Sequence, residues 1–296
     1  MKKVSILIIT VVFGIQLMAQ DAAPAPKNWK TKLETNLGFS QTALSNWAAG
    51  GENTLATNGL FNYFADYTKG KFTWNNYLGA AYGIIKQESF TNWRKADDKL
   101  NFNSKAGIYA WKNWDYTALV DFKTQFTEGY KYGANDSRTK ISNLFAPAYL
   151  QASVGLNYKP ADYFSLFLSP IGTRFTFVND TALSNYGAFG VDPGKSMLFQ
   201  AGASLNAMFK KDLFKNINLM SKLDLFSNYL KNPENIIVNW ENLLQLKVNK
   251  YISTSIGAHL IYDDNIVSKD KEGNPIGPQI QLKEGFTVGF AYTFAR

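Results

Sequence analysis

Residues 71–85 read KFTWNNYLGAAYGII, and they set the period of the whole chain. Phe72, Trp74, Leu78, Ala80, Tyr82 and Ile84 share one face of an extended segment, while Thr73, Asn75, Gly79, Ala81 and Gly83 share the other. Asn76 and Tyr77 interrupt the alternation at its centre. A soluble sandwich would turn the apolar face inward, and a barrel in lipid would turn it outward. Alternation alone does not separate the two.

The lengths of the connections do. Working outward from 71–85, the same period predicts strands near 31–40, 54–68, 98–112, 115–130, 146–159, 163–178, 196–210, 216–230, 236–249, 251–263 and 281–294. Tight links at Lys69-Gly70, Asn113-Trp114, Pro160-Ala161-Asp162, around Lys211–Lys215 and at Asn249-Lys250 alternate with longer, more polar ones near 41–53, 86–97, 131–145, 179–195, 231–235 and 264–280. The 231–235 link is long only by its place in the order. Greek-key crossings do not produce such an alternation, whereas an up-and-down meander does. The count is even, and each segment reaches the ~9–11 tilted residues that a membrane strand needs. The expectation is all-β, a single up-and-down antiparallel transmembrane β-barrel of about twelve strands over residues 31–296. Alternation is least regular near 141–178, where Pro147, Pro170 and Arg174 predict a bulge or an inward loop.

The first residues, MKKVSILIITVVFGIQLMAQ, place Lys2 and Lys3 before an apolar run that closes on Ala19. This pattern predicts a secretory signal peptide over 1–19, and the run is shorter than the ~20 residues of a spanning helix. Residues 20–30, QDAAPAPKNWK, read as a flexible leader. The chain has no cysteine, so it has neither a disulfide framework nor a lipid-bearing cysteine. Without Lys2 and Lys3, the 31 basic residues against 23 acidic ones leave a net charge of +6, scattered rather than clustered. That distribution argues against a nucleic-acid surface. Aromatic residues make up 15% of the chain, with 22 Phe, 16 Tyr and 7 Trp, which suits the girdles of a membrane barrel. Together these features predict the lipid bilayer of a Gram-negative-type outer membrane as the location, with an envelope protein partner left open.

At the C-terminus Phe286, Val288, Phe290, Tyr292 and Phe294 alternate with small residues, like the terminal strand of outer-membrane barrels, though Ala295 and Arg296 follow the last aromatic. The segments ALSNWAAGGEN (43–53), RKADDKL (94–100), ISNLFAPAY (141–149), LFSNYL (225–230) and IYDDN (261–265) carry a wider resemblance. In that order they resemble a family of Bacteroidota outer-membrane β-barrel proteins known only as a domain of unknown function. The resemblance implies an outer-membrane barrel and imports no reaction.

If the apolar faces meet lipid, the opposite phase gives the lumen: Glu34, Asn62, Asp66, Lys105, Asp121, Lys123, Gln125, Lys222, Asp224, Asn239, Glu241, Gln245, Lys247 and His259. Mixed signs on neighbouring strands predict a cross-linked interior rather than a wide pore of one charge. His259, the single histidine, shares its face with Ser253 and Ser255, so an outer-membrane hydrolase of the Ser-His type is a third reading. A phospholipase would need these groups on the outer face, and the phase puts them inside. Asp97, Asp98, Asp263 and Asp264 fall at the long-loop rim, with Glu52, Asp270 and Glu272 nearby, and could supply oxygens to calcium. No loop carries the regular calcium spacing. No other cofactor is expected. In the first long loop, Trp47 stands beside Gly50-Gly51, with no helix behind the glycines to cradle a phosphate. A loop folded over the mouth and an interfacial anchor both remain open for it.

These residues leave two leading functions. One is a narrow channel or transport barrel for small polar solutes, and the other is a non-conducting scaffold or accessory subunit of an envelope assembly. Closure of the lumen discriminates them.

Overall fold

The computed structural model describes residues 28–45, 51–133, 137–249, 252–269 and 274–295. The expected signal peptide, most of the leader, Trp47 and Gly50 lie outside them. Twelve long strands close into one antiparallel barrel. In chain order these are β1 (Trp29–Thr42), β2 (Thr54–Lys69), β3 (Phe72–Gln87), β4 (Arg94–Trp111) and β5 (Trp114–Thr124). A loop hairpin follows, β6 (Gly129–Tyr132) with β7 (Arg138–Ser142). The barrel resumes with β8 (Ala148–Ala161), β9 (Phe164–Phe177), β10 (Met197–Phe214), β11 (Ile217–Asn228), β12 (Ile236–Lys247) and β13 (Ile252–Tyr262). A second loop hairpin, β14 (Val267–Lys269) with β15 (Pro275–Pro278), precedes the last strand, β16 (Gln281–Ala295).

Closure is made by β1 and β16, in register from Lys32↔Ala295 to Gly38↔Gly289. Every other barrel strand pairs with its two neighbours in the meander, so the barrel sheet itself has no free edge. All tight turns open at one end of the barrel and all long connections at the other. The twelve strands and their order agree with the sequence reading, but some boundaries moved. β10 runs on to Phe214, leaving only Lys215-Asn216 as its turn. β5 stops at Thr124 rather than 130 because the Asp98 carboxylate accepts the backbone N–H groups of Phe126 (2.7 Å) and Thr127 (2.9 Å). Those donors are thereby lost to the barrel ladder, and the chain leaves to form the β6–β7 hairpin.

The distribution of side chains is inverted relative to a soluble protein. Phe290 and Ile171 on the outer face are each 69% exposed, while Asp121 is 6% and Asp224 9% exposed inside. Large exposed apolar surface of this extent is the informative observation. An aromatic belt surrounds the short-turn end. Trp29 packs on Tyr67 at 5.1 Å, Trp111 on Trp114 at 5.8 Å, and Trp114 on Tyr158 at 4.9 Å between ring centroids. At the other end Phe175 packs on Phe177 at 6.1 Å and on Phe199 at 5.0 Å.

The break at Asn76-Tyr77 has a local explanation. Tyr77 points inward and its Oη donates to Asn62 Oδ1 at 2.9 Å. Asn76 is left on the outer face, where it accepts from Ser104 Oγ (2.8 Å) and donates to the Ala65 carbonyl (3.3 Å). Trp74 Nε1 donates to the same Ser104 hydroxyl at 2.9 Å. Every polar group of this small outward patch is therefore paired, as an apolar surrounding requires.

The irregular region around Pro170 is a bulge, as its sequence suggested. Register slips between Val154 and Leu156 on β8, and between Gly202 and Ser204 on β10. Neighbouring backbones approach so closely there that only glycine fits. A Cβ on Gly155 would lie 2.0 Å from the Leu168 carbonyl oxygen, and one on Gly202 would lie 1.8 Å from that of Ser227.

Candidate functional site

The lumen is built from the inward phase of the strands, and its ion pairs run both along single strands and across the barrel. Lys123 on β5 donates to Asp224 on β11 at 2.6 Å and lies 3.2 Å from Asp121. Lys222 on β11 stands 3.5 Å from both Asp121 and Asp224. Asn103 donates to Asp121 Oδ2 at 2.9 Å, the oxygen that Lys222 also approaches, and Asn206 donates to Asp224 Oδ1 at 2.8 Å, the oxygen the lysines leave free. Lys99 on β4 pairs with Glu241 on β12. In the strand order β4 and β12 stand six places apart in a ring of twelve, so this pair spans the diameter. Lys210 similarly reaches Glu34 at 3.4 Å, and Lys32 reaches the same carboxylate at 2.6 Å.

These pairs form a belt that divides the interior. Toward the long loops lies a chamber of about 410 Å³, lined by Lys99, Asp121, Lys123, Glu241 and His259 and by apolar groups such as Phe226 and Ile237. Toward the short turns lies a chamber of about 290 Å³, lined by Asp66, Lys105, Lys159, Lys210 and Lys222. Asp224 lines both. Side pockets of about 290 and 190 Å³ flank the belt, one holding Glu34 and Lys247, the other Asn62, Gln245 and His259. Asp66 accepts from Asn75 Nδ2 at 2.7 Å, and Lys105 donates to Asn157 Oδ1 at 3.0 Å. Gln125 Nε2 donates to the carbonyls of Asn143 (2.9 Å) and Ala146 (3.2 Å) at the upper rim.

The mouth is covered by the 178–196 connection, a feature the sequence reading did not single out. Helix α1 (Thr181–Asn185) is capped by Asp180, and Val178, Leu183 and Val191 bury themselves against Ala146 with Phe189 and Leu198 alongside. This apolar cluster folds the loop inward, so that Phe189 roofs the upper chamber. Below it, Arg174 Nη2 donates to Asp263 at 2.9 Å, with its guanidinium over the Tyr149 ring at 4.8 Å. Lys99 and Lys210 keep the inward phase of β4 and β10, so the sequence carries a signal for both. The Arg174–Asp263 latch carried no local signal.

The rim carboxylates already hold partners, and Asp263 and Asp264 share the Asn265 side-chain amide at 2.8 and 3.2 Å. Asp97 pairs with Lys283 at 2.5 Å, Asp98 with Lys95 at 2.9 Å, Asp263 with Arg174, and Asp264 accepts from Asn235 at 3.1 Å. Among the described residues no cluster of three or more metal-ligating side chains forms, so the geometry does not assemble the calcium site considered from sequence. His259 Nε2 lies 2.6 Å from Asn239 Oδ1, and no serine hydroxyl is among its partners in the described residues. A Ser-His pair is therefore not assembled either. In the first loop Gly51 adopts φ +113° beside Leu44. Asn53 Oδ1 accepts from Leu44 N at 2.7 Å and Asn53 Nδ2 donates to Glu88 at 2.9 Å, tying this loop to the next long one.

The mouth cover carries a pH prediction. Asp180 accepts from Lys140 Nζ (2.7 Å), Asn143 Nδ2 (3.0 Å) and Leu183 N (3.2 Å), and these donors, Lys140 foremost, hold its carboxyl down at about 2. A depressed carboxyl contributes its stability above the unfolded value of about 3.9 and loses it as pH falls through the folded one. Amides 181–187 should therefore stay protected from pH 7 to about 4 and lose protection toward pH 2. Asp180→Ala, which also removes the helix cap, should cost about 1 kcal/mol, or roughly fivefold faster exchange at neutral pH. Hydrogen–deuterium exchange read peptide by peptide checks both.

Solved structures similar to the chain are barrels at low identity. The translocator domain of the autotransporter NalP from Neisseria meningitidis is 9% identical, with 91% of this chain and 89% of that chain covered, at a TM-score of 0.39. An outer membrane channel from Pseudomonas putida F1 is 10% identical, covering 93% and 98%, at 0.40. The toluene transporter TodX of Pseudomonas putida is 8% identical, covering 92% and 90%, at 0.29. No curated protein matches the chain. Of the segments that carried the resemblance in the sequence, 43–53 and 94–100 fall within a family match that runs from the end of β1 to the start of β6. Over residues 39–130 the chain resembles the family described as "Protein of unknown function (DUF3078)".

Proposed function

We propose that the chain is an integral outer-membrane β-barrel whose lumen forms a constricted passage for small polar solutes. Residues 1–19 act as the secretory signal and residues 31–296 form the barrel. The apolar outer face, the aromatic belts at both ends, and short turns opposite long loops all support placement in a lipid bilayer. The observation that carries the passage is the pair of chambers, about 410 and 290 Å³, each lined by charged side chains among apolar ones and meeting at Asp224. Asp121, Lys123, Lys222, Asp224 and Glu241 set the electrostatics of the constriction, Lys105 and Asp66 those of the inner chamber. The reading assigns no catalysis and no metal.

The test is single-channel current in planar bilayers, comparing the refolded protein with Asp121→Ala/Lys123→Ala. The double variant removes one charge of each sign and leaves the Lys222–Asp224 pair to hold the wall, so conductance should rise roughly twofold and ion selectivity should shift. Silence from both folded proteins would sink the passage. The second reading, a non-conducting scaffold that presents its long-loop face to an envelope partner, would then stand. It draws support from the ion pair that spans the full diameter and from the Phe189 roof.

A further inference from the structure

We propose that the chamber on the short-turn side is a binding site for a small oxyanion, a phosphate or carboxylate, held by Lys105. Seven lysines line the two stacked chambers. Six of them, Lys99, Lys123, Lys159, Lys210, Lys222 and Lys283, have a carboxylate within salt-bridge distance. Lys105 has none among the described residues. Its Nζ donates to Asn157 Oδ1 at 3.0 Å and to Ser165 Oγ at 3.3 Å, both neutral acceptors. An ammonium carries three N–H donors, and the third has no protein acceptor among the described residues.

An ammonium taken out of bulk water and left without a counter-ion is costly, and an anion completes it with a short charge-assisted hydrogen bond. Carboxylates of the chamber do not play this part. Asp66 is held by Asn75, and Asp224 by Lys123 and Lys222. Asp115 lines the wall without reaching Lys105, and the Asp162 side chain is fully exposed. Lys159, Lys210 and Lys222 on the same walls each have a carboxylate within salt-bridge distance, which leaves Lys105 as the lining cation for an anion to meet. A volume of about 290 Å³ admits a small anion with its waters and excludes a bulky one. Asn157 and Ser165 act as positioning residues that aim the ammonium into the chamber.

As a statement about which solutes use the passage, this rests on the proposed function; as a statement about binding, it does not. The experiment is isothermal titration of the full-length folded barrel in detergent with inorganic phosphate and, separately, acetate at constant ionic strength. Lys105→Met and Lys105→Arg are compared, with heat-modifiable electrophoretic mobility confirming that each variant is folded. Wild type should bind phosphate saturably, Lys105→Met should weaken binding by about tenfold or more, and Lys105→Arg should restore it. Equal binding by Lys105→Met, or no saturable binding by wild type, would overturn the site. Lys105-dependent binding by a barrel that carries no current would overturn the passage and keep the site, while current without phosphate binding would do the reverse.

Discussion

Asp224→Ala should be the most damaging single substitution in the lumen, lowering stability by roughly 3–5 kcal/mol. The carboxylate is 9% exposed and is the shared partner of Lys123 and Lys222, so its loss leaves two ammonium groups with Asp121 alone. It also strands the Asn206 amide, which donates to it at 2.8 Å. Two effects compete: the pair gains Coulomb energy inside, and both ions lose hydration there. Removing one partner is expensive because it keeps the second cost without the first, whereas removing both is often close to neutral. Asp224→Ala paired with Lys123→Met should therefore recover most of the loss, a coupling that a double-mutant cycle with the two single variants measures directly. By contrast the exposed Lys195–Asp192 pair, 3.7 Å apart at the mouth, should contribute at most about 1 kcal/mol. Urea unfolding in detergent, followed by tryptophan fluorescence, is the measurement. Equal losses for Asp224→Ala and the double variant would mean that the belt is not an energetic unit.

Ile256→Arg should cost roughly 2–4 kcal/mol, but only in a bilayer. Ile256 lies midway along β13, 47% exposed on the outer face, with Leu244 of β12 and Phe286 of β16 opposite it in register. A guanidinium there would face hydrocarbon with no partner, while the neighbouring Ser255 points into the lumen where a polar group is tolerated. Ser255→Asn should accordingly leave stability nearly unchanged. Comparing unfolding in lipid vesicles with unfolding in a short-chain detergent separates the membrane term from packing. An Ile256→Arg protein as stable in vesicles as wild type would argue that this face does not meet lipid.

The strands and their order were readable because a period of two leaves no ambiguity over a dozen residues, and the alternation of turn lengths selects a meander. Even the exceptions had local causes: Pro170 marked its bulge, and Asn76-Tyr77 marked a place where one aromatic turned inward. The early end of β5 was not readable. It depends on Asp98 taking the N–H groups of Phe126 and Thr127, residues 28 and 29 positions away. Among the described residues the rim acids do not gather into a metal site for a related reason, since each is held by a cation or amide from another strand or loop.

Sequence alone determined which residues could face each side of the wall, because side-chain direction in a strand is a local property of the backbone. Only the tertiary structure decided who meets whom inside. Closing the ring brings Lys99 to Glu241 across 142 residues and Lys123 to Asp224 across 101. It also leaves Lys105 facing neutral oxygens. The same closure lets Val178, Leu183 and Val191 find Ala146 and pull a loop over the mouth. Partner choice across a lumen depends on barrel diameter, tilt and register together, and those are fixed only when the first strand hydrogen-bonds to the last.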